Sequence, residues 1–523
     1  MADLPIATKP GEGADQPTFT EIEQAARQLG MEAHYLPVES GKVSDQDAEQ
    51  FRGYLDTLPR SLLAYCCSGM RSATLWALAS TSTMSLVEIL AAGKRAGVDL
   101  SGLARRIGSP HISTEEQHDV VIIGAGAAGV ATASSLLDRA PNLDIAIIDP
   151  ADVHYYQPGW TMVGAGVFRP ETTARPMGGV LPRNVRWIKS AVAAFEPTAN
   201  AVILEGCRVV KYRQLVVCPG LKLDWNAIEG LPQTLGRNGV TSNYRYDLAP
   251  YTWQRVQQLK GGRALFTQPP MPIKCAGAPQ KAMYLSCDHW RRTGRLNQIN
   301  VEFYNAGAAL FGVADYVPAL MKYVESYGID LNFGFNLTAV DGEARRATFT
   351  RALPGGGSET FETGFDLLHV VPPQKAPDFI RVSPLADACG WVDVDQGTLR
   401  HKVYENIFGL GDVTNTPNAK TASAARKQAP VVAHNVLAAL GVTRGAAIYD
   451  GYGSCPLTVE RGKIVLAEFL YGGKVAPTFP GWIIDGKKPS GLAWLLKERI
   501  LPPLYWQGML KGREWFVQPQ VAD

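Results

Sequence analysis

Three clusters in this 523-residue sequence consist of residue types that do chemistry. The first is Gly124-Ala-Gly126-Ala-Ala-Gly129, which follows an apolar run at 119–123 and precedes a helical stretch at 130–139. A second apolar run at 144–148 ends on Asp149, twenty positions after Gly129. A GxGxxG between strand and helix, followed by an acidic residue at that distance, binds a dinucleotide. Gly124 allows the tight turn, Gly126 the approach of a pyrophosphate and Gly129 close helix–strand packing, while Asp149 accepts from ribose hydroxyls. The second cluster is Cys275, preceded by Lys274, on a loop that follows the strand 263–268. A thiolate there is a nucleophile toward an electrophilic cofactor, and Lys274 beside it would lower its pKa; alternatively Cys275 is a small buried hydrophobe. The third is Cys66 with Arg71, between the strand 61–65 and the helix 73–79. Such a strand–loop–helix cradle binds anions and depresses a thiol pKa.

The elements that must position these groups alternate strand and helix, which predicts parallel sheets. The expected fold is α/β, with two Rossmann-like dinucleotide-binding domains of the FAD/NAD(P)-binding flavoprotein type. A small rhodanese- or phosphatase-like α/β domain precedes them and C-terminal amphipathic helices follow. The expected boundaries are a truncated first domain at 1–108, a linker at 109–118 and the first FAD-binding half at 119–235. A central domain at 236–370, the second FAD-binding half at 371–475 and an anchor at 476–523 complete the chain. A charged fraction of 19% and a hydrophobic fraction of 46% exclude disorder, and a net charge of +2 gives no field for nucleic acid. Eight cysteines are too few for a disulfide scaffold, and the scattered histidines show no metal-ligand spacing. Neither a signal peptide nor an apolar run long enough to cross a bilayer is visible, so the expectation is a peripheral membrane protein on the cytoplasmic side of the inner membrane.

The cofactor reading turns on residues far downstream. The strand 406–410 runs into Gly411-Asp412, with a helix from about Lys420. In flavoenzymes with two dinucleotide domains such a Gly-Asp holds the ribityl or pyrophosphate end of FAD, and the following helix N-terminus stabilises negative charge on the reduced flavin. The strand ending at Gly220 closes the first FAD half. The central domain has no second GxGxxG after 263–268, where Pro269 to Pro279 stand instead, so NADH is not the expected donor. In the first module, the four residues between Cys66 and Arg71 make the smaller loop of rhodaneses, suited to a persulfide, where tyrosine phosphatases have five.

On these residues the chain resembles the sulfide:quinone oxidoreductases of the mitochondrial branch over about three quarters of its length. The matching stretches include VIIGAGAAGVA, YYQPGWTMVGA, KCAGAPQKAMYL, LADACGWVDV, FGLGDVTNTPNAKT and YDGYGSCP. The resemblance implies FAD, held by the glycines above with Asp149, Gln157, Gly411, Asp412 and Lys420. It implies sulfide or a persulfide as substrate, a membrane quinone as electron acceptor, and a small thiol or sulfite as sulfur acceptor. Cys275 matches the flavin-proximal redox cysteine. The family's second redox cysteine follows the Gly-Asp directly, where this chain has Val413. Either another thiol substitutes (Cys455, Cys218, Cys287 and Cys389 are the candidates), or Cys275 works alone with an external carrier, or the activity has drifted toward a flavin-dependent sulfur sensor. A type II NADH:quinone oxidoreductase is the alternative enzyme. Residues 61–72 resemble a small bacterial phosphatase-like sulfurtransferase domain. Tyr65 replaces its His, Cys67 replaces an Arg, and its first strand is missing from the sequence reading, which leaves an active sulfurtransferase or a vestigial domain. At the C-terminus, Leu492, Leu495, Leu496 and Ile500 share a helical face flanked by Lys497 and Arg499, and Pro502-Pro503 is expected to divide two short helices. Trp, Lys and Arg interleaved with Leu suit an interfacial anchor, or an amphipathic helix docked on the core.

Overall fold

The computed structural model describes residues 4–7, 17–38, 42–58, 62–66, 69–108, 116–205 and 208–522. The chain forms two compact units. The first contains residues 1–118, 190–212 and 378–390. Its small sheet is parallel, with Leu4–Ala7 between His34–Tyr35 and Leu62–Tyr65. The strand missing from the sequence reading is therefore present: four residues sufficed, too few for a periodic signal. Helices Phe19–Gln28, Asp45–Thr57 and Leu86–Arg95 each start on a capping box, Thr18 with Glu21, Ser44 with Asp47 and Ser85 with Glu88. Leu36, Phe51, Leu75 and Ile89 fill the core, joined by Ala194 and Ile203 from the hairpin Val192–Glu196/Ala201–Leu204. Most of the linker 109–118 lies outside the described residues, and its last three residues already belong to the strand Glu116–Ile123.

In the second unit, Val185–Ile188, Ile145–Ile148, residues 119–123 and residues 213–217 lie side by side, and Ile407–Gly409 pairs parallel with the last. Ile145–Ile148 and residues 120–123 are apolar and buried throughout, as expected of a parallel sheet covered on both faces. A second parallel sheet has the order Val240–Thr241, Leu367–His369, Gly262–Gln268, Ile299–Asn305, Asp330–Phe333. An antiparallel meander, Phe335–Asp341, Arg346–Ala352 and Ser358–Gly364, adjoins it in sequence. The hairpin Gly453–Glu460/Lys463–Phe469 packs through Cys455, Leu457, Val459 and Val465 into the core that holds Met283, Cys287 and Trp290 of the helix Ala278–Arg292. This packing joins segments almost two hundred residues apart, and it matters for the chemistry.

The C-terminal helical run departs from the sequence reading. It continues from Gly491 to Lys511 through Pro502-Pro503, because wider turns flank the prolines at Leu496–Ile500 and Leu504–Gly508. Leu501 N–H bonds to the Leu496 carbonyl, five residues back, and the prolines occupy a first turn where no N–H is required. The run is tied to the glycine-loop domain: Arg139 makes a bidentate ion pair with Glu514, and Ser134 Oγ donates to the Leu510 carbonyl.

Candidate active site

A cavity of about 1120 Å³ in the second unit is lined by the glycine turn, Asp149, Gln157, Gly220, Cys275, Gly411, Asp412 and Lys420. The two glycine signals, far apart in sequence, thus face one space. The helix Ala127–Arg139 begins at Gly126 with no side-chain cap, so its first N–H groups are left for an anion. Gly124 has φ +100°, and a Cβ there would lie 2.7 Å from the Cys218 carbonyl oxygen, so the turn excludes any other residue. At Gly129 a Cβ would meet the Gly124 carbonyl oxygen at 1.9 Å, the close packing expected of it. Gly126 and Gly220, by contrast, face open space. Asp149 accepts from Ala125 N–H at 2.7 Å and from Ala151 N–H at 2.8 Å, which fixes its carboxylate at the strand end.

Gly411, with φ +76°, donates its N–H to Gln428 Oε1 at 2.8 Å. Burial raises the Asp412 pKa against the pull of Lys420 and Lys274. Lys420 Nζ donates to the carbonyls of Asp412 and Thr414 and lies 4.3 Å from the Trp391 ring centre, bracing the turn from behind. The helix after it starts at Ala422, two residues later than expected. Sequence reading missed Trp160, Thr161 and Asn243. All three line the cavity, and Trp160 Nε1, Thr161 Oγ1 and both polar atoms of the Asn243 side chain are buried without a hydrogen-bond partner. Buried polar groups of this kind require a partner, and a polar dinucleotide in the cavity supplies it. The residues therefore fit FAD. Valine at Gly126 gives the sharpest test, because the backbone there (φ −72°) accepts any side chain. The expected G126V protein folds but is purified colourless, which the flavin absorbance of the preparation checks.

Cys275 stands on the loop between the strand Gly262–Gln268 and the helix Ala278–Arg292, where a nucleotide-binding glycine turn would otherwise lie. Its own backbone has φ +50° and is pinned: its N–H bonds to the Lys420 carbonyl at 2.8 Å, and its carbonyl accepts from Ala278 N–H at 2.7 Å. The Tyr244 hydroxyl bonds to the carbonyls of Lys274 and Cys275. The Sγ atom lies 3.6 Å from Cys455 Sγ and 3.2 Å from Lys281 Nζ. A hydrogen bond from the Cys455 thiol, with the positive charge of Lys281, holds the Cys275 thiol well below its ordinary pKa, while Cys455 is pushed up. The pair is thereby biased toward a thiolate at Cys275 with the proton on Cys455.

Two lysines stand differently from the sequence reading. Lys274 is engaged elsewhere: its Nζ donates to Gln157 Oε1 at 2.5 Å, and burial lowers its pKa to about 8, although its charge is still felt by Cys275. The cation in direct contact with Cys275 is Lys281, one helical turn into the following helix and buried. Lys497 does not flank an outward apolar face. It is only 4% exposed and lines the same cavity, where its charge is felt by Cys275 and Cys455. No periodicity argument finds it, because a lysine on an amphipathic helix reads as solvent-facing. His154 was missed as well. Its ring links the Ala125 carbonyl of the glycine turn to the Tyr505 hydroxyl of the C-terminal run, at 2.9 and 2.6 Å.

The remaining thiols divide plainly. Cys218 is buried with Sγ 3.7 Å from the Gly124 carbonyl oxygen, and burial raises its pKa. Cys287 is wholly buried in the apolar core, as expected of helical packing. Cys389 is exposed and belongs to the first unit. Val413 is fully buried. In the first unit, Cys66 opens the loop before the helix Met70–Ala79, which begins three residues earlier than expected and so includes Arg71. Arg71 is buried and Nη1 donates to the Val38 carbonyl at 2.9 Å. Cys67 lies outside the described residues.

A family profile described as pyridine nucleotide-disulphide oxidoreductase matches residues 118–252. Another, the phosphatase-like domain of beta-lactamase hydrolase-like protein, matches residues 3–83. The mitochondrial sulfide:quinone oxidoreductase of Dictyostelium discoideum is 41% identical over 76% of this chain and 86% of its own length. The chain belongs to the sulfide:quinone oxidoreductase family. The mouse mitochondrial relative is 38% identical over 76% of this chain and 88% of its own. The crystal structure of the sulfide:quinone oxidoreductase from Aquifex aeolicus superposes with a TM-score of 0.64, covering 78% of this chain and 97% of that one at 19% identity, which is a likeness of fold. As a member of this family the chain is an FAD-dependent oxidoreductase.

Proposed function

We propose that this protein oxidises sulfide, or a sulfane-sulfur species, with FAD and passes the two electrons to quinone. The observation that carries the reading is the Cys275 thiolate, held beside Lys281 at the edge of a cavity built for a dinucleotide. When bound, FAD supplies a two-electron acceptor there. The chain's own residues bind and ionise the sulfur: Lys281 neutralises it, and the pinned backbone of Cys275 fixes its direction. Sulfide added anaerobically bleaches the visible flavin band, and NADH leaves it unchanged. Bleaching by NADH with no response to sulfide would overturn the assignment in favour of the NADH:quinone alternative.

The sulfur acceptor is a small nucleophile, a thiol or sulfite, and Cys66 with Arg71 carries persulfide sulfur in the first unit. The protein works at a membrane surface, on the cytoplasmic side of the inner membrane. Among the described residues no helix is long and apolar enough to cross a bilayer. Instead, Leu492, Leu495 and Ile500 are each about half exposed, and Trp482, Trp515 and Phe516 are exposed as well. Large apolar side chains gathered near the C-terminus suit an interfacial contact that admits quinone. The double substitution Leu492→Glu and Leu495→Glu is expected to lower co-sedimentation with lipid vesicles about tenfold or more, without altering flavin content.

A further inference from the structure

We infer that Glu468 is the proton relay of quinone reduction, drawing protons through the Thr478 and Tyr452 hydroxyls and giving them to a quinone oxygen in the cavity. The inference rests on the quinone-reducing reading above and deepens it by assigning where the proton enters.

Three observations carry it. The first is the place of Glu468 on its hairpin, where it pairs with Ser454 across Gly453–Glu460/Lys463–Phe469. Side chains alternate between the faces of a strand. Cys455, Leu457, Val465 and Ala467 enter the apolar core, while Ser454, Pro456, Leu466 and Glu468 line the cavity. Three described carboxylates line that cavity in all. Asp149 is held by the glycine turn and Asp412 stands among Lys420 and Lys274, so Glu468 is the one the nucleotide site leaves unused.

The second is its company. Glu468 is only 4% exposed, yet the donors that hold it are neutral. The Tyr452 hydroxyl donates to Oε1 at 2.5 Å, Thr478 Oγ1 donates to the same oxygen, and Thr478 N–H donates to Oε2 at 3.1 Å. A charge in so dry a place ordinarily has a cation beside it, whereas hydroxyl donors are able to hand it a proton. The third is the route. Thr478 is exposed, and its Oγ1 lies 3.1 Å from the Tyr452 hydroxyl, so the two hydroxyls and the carboxylate form a closed chain from water to the cavity wall. Burial, together with the charge of Glu468, pushes the Tyr452 phenol up, so it keeps its proton and serves as a donor. Phe479, Leu496 and Ile500 line the same cavity, and Ile500 is also 49% exposed, so the space reaches the apolar surface from which a lipophilic acceptor would enter.

The balance is that of the acceptor. Reducing a quinone to its quinol forms two O–H bonds and takes up two electrons and two protons. The family's activity delivers the electron pair and one proton. The other passes from the Glu468 carboxyl to the second quinone oxygen, so that one O–H bond breaks as the other forms. The carboxylate left behind takes a proton from the Thr478 or Tyr452 hydroxyl, which recovers one from water.

The test compares two oxidants on the full-length flavoprotein, reduced anaerobically with dithionite and followed by stopped flow. A short-chain quinone needs protons, and ferricyanide takes electrons without them. In Glu468→Gln, reoxidation by quinone is expected to slow by about 100-fold, with reoxidation by ferricyanide unchanged. Equilibrium affinity for the quinone, read from quenching of flavin fluorescence, is expected to stay within about threefold of the parent, and Glu468→Asp to recover part of the rate. Quinone reoxidation of E468Q within about threefold of the parent, equal slowing with ferricyanide, or an affinity that falls as far as the rate overturns the relay. If E468Q does not fold, Thr478→Val decides by the same comparison, with a loss of about tenfold expected for quinone alone. A parent reoxidised by quinone in this way but not reduced by sulfide refutes the sulfide-oxidising reading and leaves the relay standing.

Discussion

Replacing Cys275 with serine is expected to abolish sulfide-driven reduction of the flavin while the protein keeps its yellow colour. The loss is expected to be on the order of 10³-fold or more, because serine at neutral pH is neither ionised nor able to hold sulfane sulfur. Stopped-flow measurement of flavin bleaching by sulfide checks it, and bleaching at the parent's rate would remove the assignment. The parent's own pH dependence follows from the same geometry. The Cys455 thiol and Lys281 hold Cys275 well below its ordinary pKa, so the thiolate persists to lower pH than that of an ordinary cysteine. It is lost as pH falls through that lowered pKa. The rate should therefore fall on the acid side, and Lys281→Met should move that fall toward higher pH.

Replacing Lys497 with methionine is expected to stabilise the protein and slow it. Burial, together with repulsion from Lys281, lowers the Lys497 pKa from 10.5 to about 7. The sign follows from linkage. A lysine whose folded pKa is depressed costs stability wherever the unfolded chain would bind the proton. The cost is fully present below about pH 7, declines as pH rises toward 10.5 and is absent above it. Methionine fills a similar volume without a charge, so the gain at pH 6 should be on the order of 2–5 kcal/mol and shrink steadily toward pH 10. Thermal melts across that range measure it. A stability gain with a sulfide-dependent rate lowered about tenfold marks a residue kept for chemistry rather than for folding. Unchanged turnover would show that Lys497 has no part in the reaction.

Buried lysines near a thiol are a general means of keeping sulfur anionic in an apolar place, and here the two come from different parts of the chain. Lys281 rides on the helix that follows Cys275, whereas Lys497 arrives on the C-terminal run. That run is held by His154, which joins Tyr505 to the glycine turn, and by the Arg139–Glu514 pair. The segment that carries the exposed apolar side chains thus also carries a cation into the sulfur site. The proposed membrane contact and the proposed sulfur site share one short helical stretch.

The residues themselves determined the nucleotide site. A strand, a glycine turn, a helix and Asp149 at fixed spacing are a local pattern, and local backbone constraints are written into local sequence. Gly411-Asp412 was legible for the same reason, as was the place of Cys275 on its loop. Side-chain company was not legible. Whether Cys275 meets Lys274 or Lys281 depends on rotamers and on where the first turn of the next helix points. Whether Cys455 is inert or faces Cys275 depends on how a hairpin 180 residues away packs on that helix. Lys497 reads as a surface cation until packing turns it inward, and Pro502-Pro503 reads as a break until wider turns absorb it. Periodicity reports which face of an element is apolar, but it holds no information about which distant element that face will meet. Only the tertiary contacts brought two sulfurs and two cations into one pocket, because burial and long-range packing, not spacing along the chain, set the distances on which the chemistry depends.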